Sequence, residues 1–383
     1  MDGTAEVIII GGGVVGLSLA YHLAERGVRD VVVLEAGLCG GGSTLKATGG
    51  FRLQFGTAIN VRLSLLSLPF WQRFDATFGA RLRFRQIGYL FLLTTPEQRA
   101  AGERNVAMQQ GLGVPARLVM PAEAAALSPG LNTDGVLAGA YCPWDGVLEV
   151  DAAVAGLRAG CRRLGVAVRE GVAVTGVTVA GGRVRGVTTH AGVLAAPVVV
   201  NAAGPRAAEV GALAGVTLPV WPERRQAALT APAAGIDPRA AWTIDLDSGC
   251  YARPDPGGGA VIGGGDRGVA ADRPLTALDE AGLARLREHI GRRFPGLAGV
   301  PLARAWVGLR PMSPDDHAIL GPTEVEGFIA ACGFGSHGLM HAPAAGQLLA
   351  ELIVDGAART LDIAPLSPAR FARGELLTDS VRF

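Results

Sequence analysis

The apolar positions along the chain alternate between two periods. Residues 7–10 form an unbroken β-branched run, Val7-Ile8-Ile9-Ile10, which predicts a strand. The run leads directly into Gly11-Gly12-Gly13-Val14-Val15-Gly16, after which 17–25 carries its apolar residues at helical spacing. Gly27 stands where such a helix would stop, and 31–34 repeats the β-branched run before Glu35. Strand, helix and strand in that order predict a βαβ unit. Leu63, Leu66, Phe70 and Phe74, three and four apart, predict a long amphipathic helix over 57–78. Farther on, strands at 88–93 and 136–141 flank a helix at 96–111, a helix at 151–164 precedes a strand at 166–168, and a meander over 172–189 turns at Gly181-Gly182. A strand follows at 198–201, and 218–307 reads as short strands between Pro and Gly turns with one amphipathic helix at 275–294. The chain closes with a strand at 327–331, a glycine turn at 333–338 and a helix at 343–354. No internal repeat is visible. The prediction is an α/β protein whose parallel pieces are interrupted by antiparallel-looking inserts.

Length adds a domain count. At 383 residues the chain exceeds the roughly 100–200 typical of one domain, so two lobes are expected. Hydrophobic residues make up 49% and charged residues 18%, with a formal net charge of +1, which excludes a disordered chain and leaves no electrostatic footprint for nucleic acid. The five cysteines, Cys39, Cys142, Cys161, Cys250 and Cys332, are scattered and show no CxxC spacing, so neither a disulfide framework nor a metal site is expected. The amino terminus has Asp2 and Glu6 in place of a basic region, and no apolar run approaches the roughly 18 residues a spanning helix needs, so a soluble, cytoplasmic protein is expected. Of 35 basic residues only Lys46 is a lysine, and it sits in a Gly-rich segment, which makes it a candidate for a role an arginine head does not fill.

The chemistry starts at Gly11-x-Gly13-x-x-Gly16 between a strand and a helix. The first glycine makes the tight turn, the second admits a pyrophosphate to the backbone, and the third lets helix and strand pack closely. Glu35, 19 residues after Gly16, is placed to accept from a ribose hydroxyl pair. A second Gly-rich segment follows, Gly40-Gly41-Gly42-Ser43-Thr44-Leu45-Lys46-Ala47-Thr48-Gly49-Gly50, which suits a long, permanently held dinucleotide and argues for FAD over NAD.

Five stretches together resemble the D-amino acid oxidase superfamily, especially its sarcosine oxidase β-subunits, L-proline dehydrogenases and glycine oxidases. They are the fingerprint with Glu35, Gly49-Gly50-Phe51-Arg52-Leu53-Gln54-Phe55, Val199-Val200-Asn201-Ala202-Ala203-Gly204, Gly308-Leu309-Arg310-Pro311 with Ser313-Pro314-Asp315, and Gly333-Phe334-Gly335-Ser336-His337-Gly338. The resemblance implies a Rossmann-like FAD lobe from residues 1–80, 150–217 and 305–383, and a substrate lobe with a large mixed sheet from 81–149 and 218–304. It implies that Gly11, Gly13, Val14, Val15 and Gly16 meet the cofactor at the first turn, and that Glu35 with Ala36 holds the adenosine ribose. Gly42, Ser43, Thr44, Lys46, Gly49, Gly50 and Arg52 would line the flavin, Val174 would touch the adenine, and Ala202, Ala203 and Gly204 would bring backbone beside it. Gly335, Ser336, His337, Gly338, Leu339 and Met340 would aim the last helix at the flavin pyrimidine, where its dipole offsets the negative charge of the reduced ring.

The catalytic residues implied are Arg310 for a substrate carboxylate, Tyr251 beside it, His337 near the amine, and Lys46 and Arg52 near the flavin. Gly308 stands where monomeric sarcosine oxidases have the flavin-linked cysteine, so the FAD is expected to be noncovalent. Val150 replaces the histidine that anchors a second flavin in heterotetrameric enzymes, which leaves a partner subunit unrequired and a monomer or homo-oligomer open. Ile262 and Met340 stand where those oxidases have lysines, so oxygen or another electron acceptor stays open. The reaction implied is oxidation of the C–N bond of a small, secondary amino acid such as sarcosine or proline, by hydride transfer to flavin N5, giving an imine that hydrolyses. A D-amino acid or glycine oxidase on the same fold, a non-catalytic flavoprotein and an NAD dehydrogenase are the alternatives.

Overall fold

The computed structural model describes residues 3–233, 236–265 and 276–379. Val7–Ile10 is the centre of a six-stranded sheet. Val31–Leu34 and Ala167–Arg169 extend it in parallel on one side, Val198–Asn201 and Phe328–Cys332 in parallel on the other, and Ile319–Pro322 closes that edge antiparallel. The unbroken apolar run of Val7–Ile10 is explained by cover on both faces. Val7 and Ile9 pack under helices Val14–Glu25 and Gly338–Asp355, whereas Ile8 and Ile10 pack with Val184, Val187 and Leu194 of a four-stranded sheet. That smaller sheet holds Val174–Ala180 and Arg183–Thr189, the meander expected at 172–189, together with Gly192–Ala195 and Gly3–Thr4.

An eight-stranded mixed sheet runs in the order Leu302–Met312, Trp221–Thr230, Ala260–Gly264, Cys250–Pro254, Trp242–Asp245, Tyr89–Leu93, Ala138–Cys142, Arg117–Val119. Its neighbours are antiparallel except for Trp242–Asp245 beside Tyr89–Leu93. Alternation sorts its side chains. Tyr89, Phe91, Trp242, Ile244 and Tyr251 face the main core, while Ala252, Ile262 and Ala228 pack under helix Glu280–Arg293 on the outer face.

Several expectations shift. Ile262 faces the outer core, because Tyr251 pairs with Gly263 and the pleat turns the next pair, Ala252 and Ile262, the other way; it does not stand beside the cavity described below. The boundary at 304/305 falls inside strand Leu302–Met312, which hydrogen-bonds along Trp221–Thr230 and so joins the eight-stranded sheet. The helix expected at 343–354 starts at Gly338, five residues earlier, and runs through Pro343 to Asp355. A proline usually marks a helix's first turn, hence the late start expected from sequence. Here helix Ala58–Phe78 supports the passage: Ser67 Oγ accepts from the Ala344 N–H at 3.1 Å and Trp71 Nε1 donates to the Met340 carbonyl at 3.4 Å. The helix expected at 275–294 spans Glu280–Arg293, with Leu275 outside the described residues. Strand Arg117–Val119 and helix Pro121–Leu127 are too short to leave a sequence period.

Candidate active site

Two helix amino termini meet at one cavity. Gly11, at φ +112°, makes the turn into helix Val14–Glu25, and a Cβ there would lie 2.4 Å from the Ala202 carbonyl oxygen; one at Gly16 would lie 2.0 Å from the Gly11 carbonyl oxygen. Backbone therefore packs on backbone, as the fingerprint requires. Gly13 at the N-cap brings no side-chain cap, nor does His337 at the N-cap of Gly338–Asp355, and neither helix has an acidic residue in its first turn. Gly13, Val14 and Val15 from one helix and Gly338, Leu339 and Met340 from the other line the same space, about 1290 Å³ including its mouth. Positive dipole ends face it from two sides.

The second Gly-rich segment crosses between them. Thr44 Oγ1 accepts from the Val14 N–H at 3.2 Å, and Ser43 Oγ donates to the Leu309 carbonyl at 2.5 Å, tying the loop to the strand that carries Arg310. Trp306 Nε1 donates to the Lys46 carbonyl at 2.9 Å, and Arg253 donates to the Thr48 carbonyl at 3.0 and 3.2 Å. The opposite wall is aromatic: Trp242 stacks on Tyr89 at 4.7 Å and lies 5.3 Å from Tyr251. Trp242 Nε1 is buried with no hydrogen-bond partner among the described residues, although its residue lines the cavity.

The structure gathers Ser43, Thr44, Lys46, Gly50, Arg52, Ala202, Gly204, Tyr251, Arg310, Gly335 and Ser336 around this cavity. It does not place every expected residue there. His337 sits behind Arg52, whose Nη2 lies 3.2 Å from His337 Nε2, and Phe55 packs over both, 3.9 Å from the guanidinium carbon and 4.9 Å from the imidazole. Burial, then the Arg52 charge, holds the His337 pKa well below the usual histidine range, so a neutral ring accepts from Arg52. Glu35 lies outside the cavity wall too, where Oε2 accepts from the Gly12 N–H and Oε1 from the Gly37 N–H, each at 2.8 Å. Each oxygen keeps a lone pair for a ribose hydroxyl. Ala36, Gly42, Gly49, Val174 and Ala203 are likewise not part of that wall, and Gly11 and Gly16 act through backbone packing.

Sequence reasoning passed over Tyr89, Trp242, Arg225, Gln226 and Trp306, all of which line the cavity. Alternation within the strands carries that signal, but only once the strand order is known. It also passed over Asp145, which is fully buried behind Arg52 and accepts from the Leu53 N–H at 2.7 Å and from Gln54 Nε2 at 2.9 Å. Burial pushes its carboxyl up to about 7, against the pull of these donors and of Arg52.

A family model described as DAO, FAD dependent oxidoreductase, matches residues 6–352. The chain belongs to this family. Rat mitochondrial dimethylglycine dehydrogenase is 30% identical over 393 residues, covering 96% of this chain and 45% of the rat protein. This DAO protein thus spans less than half the length of that relative. Glycine oxidase of Geobacillus kaustophilus is 28% identical over 377 residues, covering 95% of this chain and 97% of its own. Among solved structures, L-proline dehydrogenase from P. horikoshii superposes with a TM-score of 0.92 at 31% identity, covering 98% of this chain and all of the other.

The DAO family is FAD-dependent, and the residues present fit that cofactor. Backbone close-packing at Gly11 and Gly16, two helix amino termini without a cap from their own N-cap side chains, and the paired oxygens of Glu35 form a cradle for the cofactor. Among the described residues no helix is long and apolar enough to cross a membrane.

Proposed function

We propose that this DAO-family chain oxidises the C–N bond of a small amino acid, with secondary amines such as sarcosine and proline preferred. The observation that carries the reading is Arg310, half-buried in the wall of an aromatic-lined cavity that has no Asp or Glu among its described lining residues. The names of its relatives, dimethylglycine dehydrogenase, glycine oxidase and L-proline dehydrogenase, support the substrate class.

Glu35, the first helix amino terminus and the loop 43–50 would hold the cofactor noncovalently; Gly308, with Lys46 Cβ 3.0 Å from where its own Cβ would lie, offers no thiol. Bound FAD supplies the two-electron acceptor. Arg310 pairs with the substrate carboxylate through its guanidinium fork and fixes which end of the molecule lies against Tyr251 and Trp242. Those rings exclude water, and the apolar wall penalises an ammonium, so the amine sheds its proton before reaction without a dedicated base. Positioning makes the step effectively unimolecular. The imine would leave to water outside the dry pocket, with oxygen or another acceptor as the final electron sink. Two discontinuous lobes meet at this cavity, and the five cysteines, all buried and outside any disulfide, suit a reducing cytoplasm.

The test is anaerobic bleaching of the holoprotein with sarcosine, proline, dimethylglycine, glycine and D-alanine. Arg310→Leu is expected to raise the half-saturating concentration by 100-fold or more with FAD retained. Unchanged half-saturation in that variant would place the carboxylate elsewhere, and bleaching by D-alanine alone would favour a D-amino acid oxidase.

A further inference from the structure

The chain that follows the short helix Ala369–Ala372 returns to the segment that carries Arg52. Its course is fixed at two points. The Leu377 N–H donates to Asp315 Oδ2 at 3.3 Å, beside the buried Asp315–Arg370 pair, and Asp379 Oδ1 accepts from the Gly56 N–H at 2.9 Å. Asp379 is 5% exposed, and Asn60 Nδ2 lies 3.5 Å from its other oxygen. A carboxylate this deeply buried is costly unless donors and a cation compensate it.

The cation beside it is Arg52, itself 2% exposed and part of the cavity wall. Arg52 Nη1 donates to the Gln54 carbonyl, and the guanidinium carbon lies 3.9 Å from the centre of the Phe55 ring. The side chain therefore folds back over Gln54 and Phe55, while Asp379 holds Gly56, two residues on from Gln54. Two residues of backbone span at most about 7 Å, so both charges face one short stretch of chain. The other ionisable groups here offset less. Burial keeps His337 and His341 neutral, and Asp145, its carboxyl near 7, is only partly ionised at neutral pH. Among the neighbouring charges, Asp379 does most to hold the Arg52 proton against burial. Buried charges are weakly screened, so the field Arg52 presents to the cavity depends on how much of it Asp379 cancels.

We propose that Asp379 is a positioning residue for the flavin site: through Gly56 it fixes the stretch that Arg52 folds over, and its charge offsets the Arg52 charge facing the cofactor. A reduced flavin carries negative charge, which Arg52 stabilises and Asp379 opposes. Neutralising Asp379 therefore favours the reduced cofactor and raises its two-electron midpoint potential. This inference needs the FAD of the family but not the amine-oxidising reading above.

The test is the midpoint potential of the holoprotein, titrated with dithionite against a reference dye. It is run at pH 8.5, where Asp145 is already ionised and takes up little of the lost charge. Asp379→Asn keeps an acceptor for the Gly56 N–H and drops the charge. A change of about tenfold in the ratio of reduced to oxidised flavin is expected, a rise of about 30 mV for a two-electron couple. Asp379→Ala is expected to give the same rise with a lower urea midpoint, because Gly56 loses its acceptor; if that variant does not fold, Asp379→Asn carries the test alone. Glu375→Gln removes an exposed charge from the same segment, one paired with Arg373, and is expected to leave the potential unchanged. A wild-type potential in Asp379→Asn, or an equal rise in Glu375→Gln, overturns the proposal. A potential that rises as expected in a protein whose flavin no amino acid bleaches overturns the amine reading and leaves the role of Asp379 standing.

Discussion

Asp145 gives a prediction whose sign and size both follow from its surroundings. Its carboxyl is fully buried, and burial lifts its pKa from 3.8 to about 7. A carboxyl with a folded pKa above its unfolded value holds its proton more tightly when folded. Its favourable contribution is therefore complete below pH 4, falls as pH rises toward 7 and is gone above that. Moving the carboxyl from 3.8 to about 7, at about 1.4 kcal/mol for each tenfold change in proton affinity, makes the change across the window about 4 kcal/mol. Asp145→Asn removes the titration. The substitution also gives up the acceptor for Gln54 Nε2, a loss of roughly 1–3 kcal/mol that does not vary with pH. Urea midpoints of the two proteins between pH 4.5 and 8 separate these effects, since only the slope belongs to the carboxyl. Wild type should lose ground to the variant by about 1 kcal/mol per pH unit in mid-window, levelling out above pH 7. Curves that run parallel throughout would refute the reasoning. The readout bears on function because Asp145 pins Leu53 and Gln54, the residues next to Arg52.

Trp242→Phe keeps a ring against Tyr89 and shrinks the aromatic wall of the cavity; a three- to tenfold rise in half-saturating substrate or a shifted flavin spectrum is expected, with a cooperative urea transition retained. Asp315→Asn leaves Arg370, 1% exposed and held by both Asp315 oxygens at 2.8 and 2.9 Å, as an uncompensated buried charge. A loss of about 3–5 kcal/mol in urea unfolding is expected, and a loss under 1 kcal/mol would show that Arg370 finds another partner.

The first hundred residues were largely legible because their signals are local. Val7–Ile10 and Val31–Leu34 announce themselves as strands, Gly11 and Gly16 as points of close backbone approach, and helix Pro96–Gly111 matches its expected bounds. Legibility fails where a side chain's role depends on strand order. Tyr251 and Ile262 are both apolar-run residues in adjacent strands, and only the pairing of Tyr251 with Gly263 decides that one meets the cavity and the other the outer core. Asp145 gives no local sign at all, since its burial comes from partners about ninety residues away. The Pro343 passage is likewise set by Ser67 and Trp71, on a helix some 270 residues earlier.

The charge arrangement then limits which group can set the pH dependence of substrate capture. His337 is kept neutral by burial and by Arg52, burial holds the Tyr89 phenol well above its usual range, and arginine heads do not titrate near neutrality. Asp145 titrates near 7, but it faces Leu53 and Gln54 and acts on stability. The reading in which the apolar wall rejects an ammonium assigns the proton lost near neutrality or above to the substrate itself. The rising limb of reductive rate per unit substrate should accordingly move with the amine, lying higher for proline than for an N-methyl amino acid of weaker base strength. Anaerobic bleaching rates between pH 7 and 10 measure it. A limb fixed at one pH for every substrate would instead assign the proton to a side chain of the cavity.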